Sequence, residues 1–517
     1  MCPLHSRRDF LRWLGATVVV RGAWATPAGL PTDNPSRRYK LDWTDQIRWD
    51  RVVSVADVPG ASADDRIARA QKIVAEQGGG VVYLPAGTYR LSDSIRLLDG
   101  VVLRGEPPKL EDARQDAYSL GTRLEFPLYE FRPEGNGTPI ETAFKGIVLD
   151  NPSNGAHCGL VHLHIERGHV RWLEAEGHQS RPNRIVYGCI FRNAAVVDPA
   201  VPDLSIGQHP WQRFTARHAA AIEIEAAGNI LVANNRLPKS GEANFVMKGY
   251  RLLQGKTPIE LDEVIFDYDN RPGIYVNHFA IGGAGAEGPD GTPETHPHGF
   301  RRGIVIADNY IFQTGRMAIG FCGDGVVCRG NVIRFARDVV RPTVTGRSVT
   351  AGTSTNDNRA VEMRGWRWVV EDNDYEVYRN WAYGRKYLIN DGEGLMHEDH
   401  CNSTVLDSVL RRNRGNAYIS IYKTGGIDGL LVEDNEVPHI MVVADRNRSR
   451  HPIRRVRIVG NVTEGGIHVG GEPSEDVVVE RNRCRAASPA KILNQARARL
   501  ADNINYVEDP TPPKLRT

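Results

Sequence analysis

Nine pieces of this chain end alike, in a short apolar run, one or two polar or small residues, and then asparagine. They are ILVANN to Asn235, IVIADN to Asn309, GVVCRGN to Asn331, WVVEDN to Asn373, SVLRRN to Asn413, LLVEDN to Asn435, VRIVGN to Asn461, VVVERN to Asn482 and ARLADN to Asn503. The intervals between successive asparagines are 74, 22, 42, 40, 22, 26, 21 and 21 residues, most of them near 21 or twice 21. A period of about twenty residues, built from short β-rich runs without helical periodicity, predicts a solenoid whose rungs each contribute brief parallel strands. Leucine-rich repeats have similar periods, but their fixed leucines are absent. Asparagine suits the recurring corner because it tolerates left-handed backbone and its amide can bond the asparagine one rung away. One rung cannot bury its inner face alone, so stacking creates the core.

Upstream, SADDRIARAQKIVAEQGGG reads as an amphipathic helix capped near Ser62 to Asp64 and stopped by Gly78, Gly79 and Gly80. Alternating strand pieces follow in VVYLPAGTYRLSDSIRLLDGVVLRGE, broken at Pro85, Gly87 and Gly100. A helix followed by GGGVVYLPAGTYR and then GVVLRG resembles the N-terminal cap of the right-handed parallel β-helix (pectin lyase-like, pectate lyase) superfamily. The resemblance is specific over the cap and looser over the rungs from about 219 to 503. It implies an all-β, right-handed parallel β-helix solenoid with an N-terminal capping helix and long loops over one face. It also implies a polysaccharide or oligosaccharide partner. The N-x-D, D-D, G-H-G and R-I-K signatures of polygalacturonases are not evident, so that chemistry is not carried over.

The N-terminus, SRRDFLRWLGATVVVRGAWATPA, has the order of a secretory signal over residues 1–25, and Arg7-Arg8 before Phe10-Leu11 resembles a twin-arginine export signal. The expected organisation is that signal, an extension over 26–60, the β-helix over 61–505 and a tail over 506–517. The expected location is the periplasm or the exterior. Without the signal the chain carries 61 basic and 62 acidic side chains, so no global field selects nucleic acid or an anionic membrane. Recognition has to be local. Six cysteines beyond Cys2 are scattered without a C-x-x-C pair and read as free, buried thiols rather than a disulfide framework.

Registering the pieces before each asparagine predicts one shared face. Ile222, Ile224, Ile319, Phe321, Val361 and Met363 are expected inward. Glu223, Gly320 and Glu362 then form an outward column, with Glu225, Cys322 and Arg364 beside it. In GLMHEDH the same reading turns Leu395 inward, His397 inward or toward a neighbouring turn, and Met396 and Glu398 outward, and in YISIYKT it turns Ser420 and Tyr422 outward. A one-residue slip would invert such an assignment. Long segments near 336–358, 379–393 and 237–300 are expected to overhang this face as a binding wall.

The candidate catalytic residues are Glu362, Arg364, Asp391, Glu393, Glu398 and Lys423. Two carboxylates on adjacent rungs, Glu362 and Glu398 with Asp391 or Glu393 as substitutes, fit the acid and base of a glycosidase. Elimination at a uronate uses the same face differently: a base takes the proton beside the carboxylate while a cation or Ca²⁺ offsets the developing charge. Arg364, Lys423, Arg385 or Tyr422 can serve there. Trp381, Tyr383 and Tyr387 offer ring faces to a sugar, or pack their loop onto the solenoid. Glu223 and Glu225 are a candidate calcium pair or subsite, and His296 with His298 a weaker zinc pair. The resemblance favours a lyase over a glycoside hydrolase. A non-catalytic carbohydrate-binding or adhesive β-helix is the third reading.

Overall fold

The computed structural model describes residues 29–127, 129–131, 147–149, 157–172, 183–192, 221–224, 229–238, 245–254, 257–265, 274–276, 303–312, 317–334, 343–344, 347–348, 359–379, 390–391, 396–398, 405–422, 425–446 and 449–509. The expected signal, residues 1–25, lies outside them. Helix α1, Ala63–Glu76, starts where its sequence directs: the Ser62 side chain accepts from the Asp65 amide, and Gly78 and Gly79, both at positive φ, turn the chain into the first rungs.

Beyond the helix the chain winds through three long parallel sheets of fourteen, twelve and thirteen strands, called A, B and C here. Each rung visits C, then A, then B, as in Met317–Asp324, Val327–Arg329 and Val332–Arg334. The solenoid is therefore a three-sided coil. It starts before and ends after the expected boundaries, since Val52–Ser54 is the first strand of sheet A and Tyr506–Asp509 the last of sheet C.

The inner face of sheet C shows why the coil closes. Ile95, Ile147, Val170, Ile222, Ile274, Ile319, Val361, Met396, Ile419, Ile440, Ile467 and Ile492 share one register column. β-branched side chains fit a pleated wall, and fully burying one is worth about 1.5–3 kcal/mol.

The corner between sheets A and B carries the asparagines. Asn235, Asn309, Asn331, Asn373, Asn413, Asn435, Asn461 and Asn482 each donate from Nδ2 to Oδ1 of the next, ending at Asn503, at 2.9–3.0 Å. Each of those oxygens also accepts the backbone N–H of the preceding asparagine. The left-handed residue is not the asparagine, contrary to expectation, but the one before it: Asn234, Asp308, Gly330, Asp372, Arg412, Asp434, Gly460, Arg481 and Asp502 all have φ between 52° and 67°. The asparagine is chosen for its buried amide, which bridges rungs, and the turn is made by its neighbour. Upstream the position passes to Cys189, whose N–H donates to Asn235 Oδ1, so the ladder continues with no sequence signature. Cys158, Cys189, Cys328 and Cys484 are free and buried, as expected.

The outer faces differ. Over the first rungs, sheet A is covered by the segment before α1: Tyr39, Trp43, Ile47 and Trp49 pack on Val81, Val102, Ile185, Tyr187 and Leu231. Buried Arg104 fastens this strap, donating to the Asp33 carbonyl and carboxylate at 2.7 and 2.9 Å. Further along, sheet A carries exposed pairs such as Arg412–Asp372 at 2.8 Å and Arg457–Asp476 at 2.8 Å, a solvated ladder.

Candidate functional site

Sheet C is bordered by excursions at both edges. Residues 193–221, 238–273, 335–358 and 377–395 separate sheet B strands from sheet C strands, and 277–303 separates a sheet C strand from sheet A. The extra length in the longer asparagine intervals thus falls in the connections that flank sheet C strands in the chain. Part of it is an antiparallel hairpin, Phe245–Gln254 with Thr257–Ile265.

The central outward column of sheet C runs Arg96, Val148, Arg171, Glu223, Tyr275, Gly320 and Glu362 by direct register. Val361 pairs with Met396, and His397 pairs with Ser420, so the column continues through His397, Ser420, Met441 and His468. Glu223, Gly320 and Glu362 share it as expected, with Tyr275 intervening. Arg364 pairs with Cys322 in the neighbouring column, and Tyr422 pairs with Val443, again an outward position.

One assignment is inverted. Met396 stands in the isoleucine column, and Glu398 pairs with Ile421, in the inward column that also holds Met363 and Val442. His397, expected inward, takes the outward position. Leu395 and Met396 are adjacent apolar residues, and the strand is registered one position later than the sequence alone led us to expect. Glu362 is therefore followed along its column by an imidazole, not a carboxylate. Asp391 pairs with Tyr378 in a separate two-stranded antiparallel ladder, Tyr378–Arg379 with Asn390–Asp391, and is not part of the sheet C column. Glu225, Arg385, Trp381, Tyr383, Tyr387, Glu393, Lys423, His296 and His298 lie outside the described residues.

Farther along the face, side chains can be placed. Ser420 is fully buried, and among the described residues its hydroxyl has no hydrogen-bond partner. In the adjacent column Tyr418 stacks on His439, ring centroids 4.3 Å apart and planes within 14°. Desolvation holds the His439 imidazole below the usual range, so it is neutral near pH 7. Sequence reasoning passed over Tyr275, Tyr418 and His439; the alternation around Ile274, Ile419 and Ile440 was the signal for them. Among the described residues, no group of three or more His, Cys, Asp or Glu side chains is arranged to hold a metal ion. No helix of the described residues is long and apolar enough to cross a membrane.

Residues 53–123, spanning the first strand, α1 and the first rungs, match the family model described as rhamnogalacturonase A/epimerase, pectate lyase-like. That match falls on the cap and agrees with the three stacked parallel sheets. The chain has a parallel β-helix fold. Solved parallel β-helix proteins with similar structures include the A-module of the mannuronan C-5 epimerase AlgE6 of Azotobacter vinelandii, 12% identical, with a TM-score of 0.41 over 89% of this chain and 100% of that one. The surface adhesin PfbA of Streptococcus pneumoniae is 12% identical, with a TM-score of 0.40 over 89% and 91%. The DFA-IIIase of Arthrobacter chlorophenolicus A6 is 12% identical, with a TM-score of 0.37 over 89% and 85%. No curated protein matches the sequence. These likenesses concern the β-helix architecture and carry no chemistry.

Proposed function

We propose that this protein is an exported enzyme that cleaves a uronate-containing polysaccharide by β-elimination on the outward face of sheet C. The observation that carries this reading is the run Tyr275, Gly320, Glu362 and His397 on consecutive rungs of one outward column. Rungs are about 4.8 Å apart, so Tyr275 and Glu362 stand about 10 Å apart at the backbone, with a glycine between them. That gap is wide enough for one sugar ring.

Elimination needs a base, an acid and a positive charge. His397 beside Glu362 is the base, its imidazolium stabilised by the carboxylate as it takes the proton from the carbon next to the uronate carboxyl. As that C–H bond breaks, the carbon–carbon double bond forms and the glycosidic C–O bond opens. Tyr275, across the gap, gives its proton to the departing oxygen. Arg364, one column over, neutralises the charge gathering on the carboxyl; calcium held by Glu223 and Glu225 is the alternative source of that charge.

Hydrolysis by paired carboxylates is the second reading, and the column disfavours it. The nearest carboxylate to Glu362 along the column is Glu223, three rungs and about 14 Å away, beyond the 5–9.5 Å that glycosidases use. Incubation with alginate, polygalacturonate and rhamnogalacturonan decides. Ultraviolet absorbance from an unsaturated uronate supports elimination, reducing ends without it support hydrolysis, and retention without products supports a binding or adhesive role.

A further inference from the structure

Seven serine and threonine side chains are buried among the described residues. Ser36, Thr44, Ser54, Thr122, Ser408 and Thr463 each bond a neighbouring group; Ser36 Oγ donates to Asn34 Oδ1 at 2.8 Å, for example, and Ser408 Oγ to Leu406 O at 2.8 Å. Among the described residues Ser420 alone of the seven has no partner. A buried hydroxyl left unbonded costs about 1–3 kcal/mol, and alanine would fill the position without that cost. The hydroxyl therefore calls for a role that packing does not supply.

Its place in the coil supplies one. Ser420 stands on the outward column of sheet C, paired with His397 on one rung and with Met441 on the next. His397 in turn follows Glu362, since Val361 pairs with Met396. Carboxylate, imidazole and hydroxyl thus occupy consecutive rungs about 4.8 Å apart, in the order of the acid, base and nucleophile that activate a serine. The stretch YISIY lacks the glycines of a nucleophile elbow, so the hydroxyl is presented by a strand, Ile419–Tyr422, rather than by a tight turn. Tyr418 and Tyr422 are the outward residues on either side of it, and half-buried Met441 follows it along the column.

From this arrangement we infer that Glu362, His397 and Ser420 form a serine-esterase triad that removes an acyl group from a sugar hydroxyl, an activity beyond the elimination proposed above and resting only on the register of the same column. Ser420 Oγ bonds the ester carbonyl carbon while its proton passes to a ring nitrogen of His397. The bond from that carbon to the sugar oxygen then breaks, and the oxygen leaves with the proton. Water attacks the acyl-serine, again giving a proton to His397, and the carboxylic acid departs as that proton returns to Ser420 Oγ. Glu362 holds the other side of the imidazole and offsets its charge. Tyr418 and Tyr422 supply O–H donors for the oxyanion. Full burial of Ser420 selects a small acyl group such as acetyl, which can reach the hydroxyl while the sugar ring stays outside.

The test is covalent. A fluorophosphonate carrying rhodamine loses fluoride to an activated serine as an Oγ–P bond forms, and it needs no knowledge of the sugar. The full wild-type chain becomes fluorescent in gels, with the label on the tryptic peptide GNAYISIYK, residues 415–423, whose one serine is Ser420. Ser420→Ala removes the label, His397→Gln slows labelling about a hundredfold, and both variants melt at the wild-type temperature. Hydrolysis of p-nitrophenyl acetate falls likewise in both. A folded wild type that takes no label, a label on another residue, or labelling undiminished in folded Ser420→Ala overturns the triad. Absorbance from an unsaturated uronate, read on the same wild-type preparation, reports elimination separately, so either proposal can fail alone.

Discussion

Replacing Asn373 by alanine tests the asparagine ladder and the proposed site together, because Asn373 belongs to the rung of Glu362 and bonds Asn413 in the rung of His397. Its side chain donates to Cys328 O at 3.1 Å and Asn413 Oδ1 at 2.9 Å, and accepts from the Asn331 backbone N–H at 3.0 Å and Asn331 Nδ2 at 2.9 Å. Alanine leaves the buried Asn331 N–H without a partner, at about 1–3 kcal/mol, and removes three further bonds whose net worth is about 0.5–1.5 kcal/mol each. Some donors keep second partners, since Asn331 Nδ2 also bonds Ile306 O, so about 3–5 kcal/mol is expected. At about 2.1 cal/mol/K per residue, a folded body of this size has an unfolding entropy near 1 kcal/mol/K, and the melting temperature should fall by about 3–5 °C. Asn503→Ala at the partly exposed end of the ladder is the control: it orphans the part-buried Asn482 N–H and should cost about half as much. Scanning calorimetry measures both. Turnover on a uronate polymer, read well below either melting point, should drop in Asn373→Ala and hold in Asn503→Ala. Equal melting shifts for the two would refute the claim that buried amide bridges stabilise the interior rungs.

Further outcomes follow from the column and from burial. Glu362→Gln and His397→Gln should each lower turnover by about 10²–10⁴, while Glu398→Gln, at an inward register position, should leave it within a few fold; steady-state kinetics on one polymer compares them. If Arg364 supplies the positive charge, activity should survive dialysis against EDTA, whereas loss with recovery on adding Ca²⁺ would favour the acidic pair at Glu223. Burial pushes the His162 imidazole down to about 3, so it is neutral in the folded protein while the unfolded chain takes up a proton below about 6.5. Its contribution is fully present above that value and is lost at about 1.4 kcal/mol per pH unit as pH falls from 6.5 towards 3. His162→Gln should flatten the fall of melting temperature across that window.

The coil and helix α1 were legible because few residues satisfy their demands. A buried corner that must bridge rungs admits asparagine, and Ser62 followed by an amphipathic run and three glycines marks one helix. Where the corner is served by Cys189 the same geometry leaves no trace in the sequence. The face was legible wherever a single apolar residue faced inward, as at Ile222, Ile319 and Val361. It failed at 395–398 because two neighbouring apolar residues satisfy the binary pattern equally and the isoleucine column, which chooses between them, is set by rungs far away in the chain. The run of Glu362, His397 and Ser420 was invisible for a related reason: the three come from separate rungs, and the register at 395–398 decides whether the imidazole joins the other two.

The corner between sheets A and B and the corner between B and C live under different rules. The first is locked by an amide at nearly every rung. The second ranges from Pro438 and His439 alone to the whole stretch from 238 to 273, with the columns on either side still in step. A lineage of such chains can therefore lengthen, shorten or exchange these segments one by one and acquire new polymer preferences without renegotiating the scaffold that aims the reactive side chains.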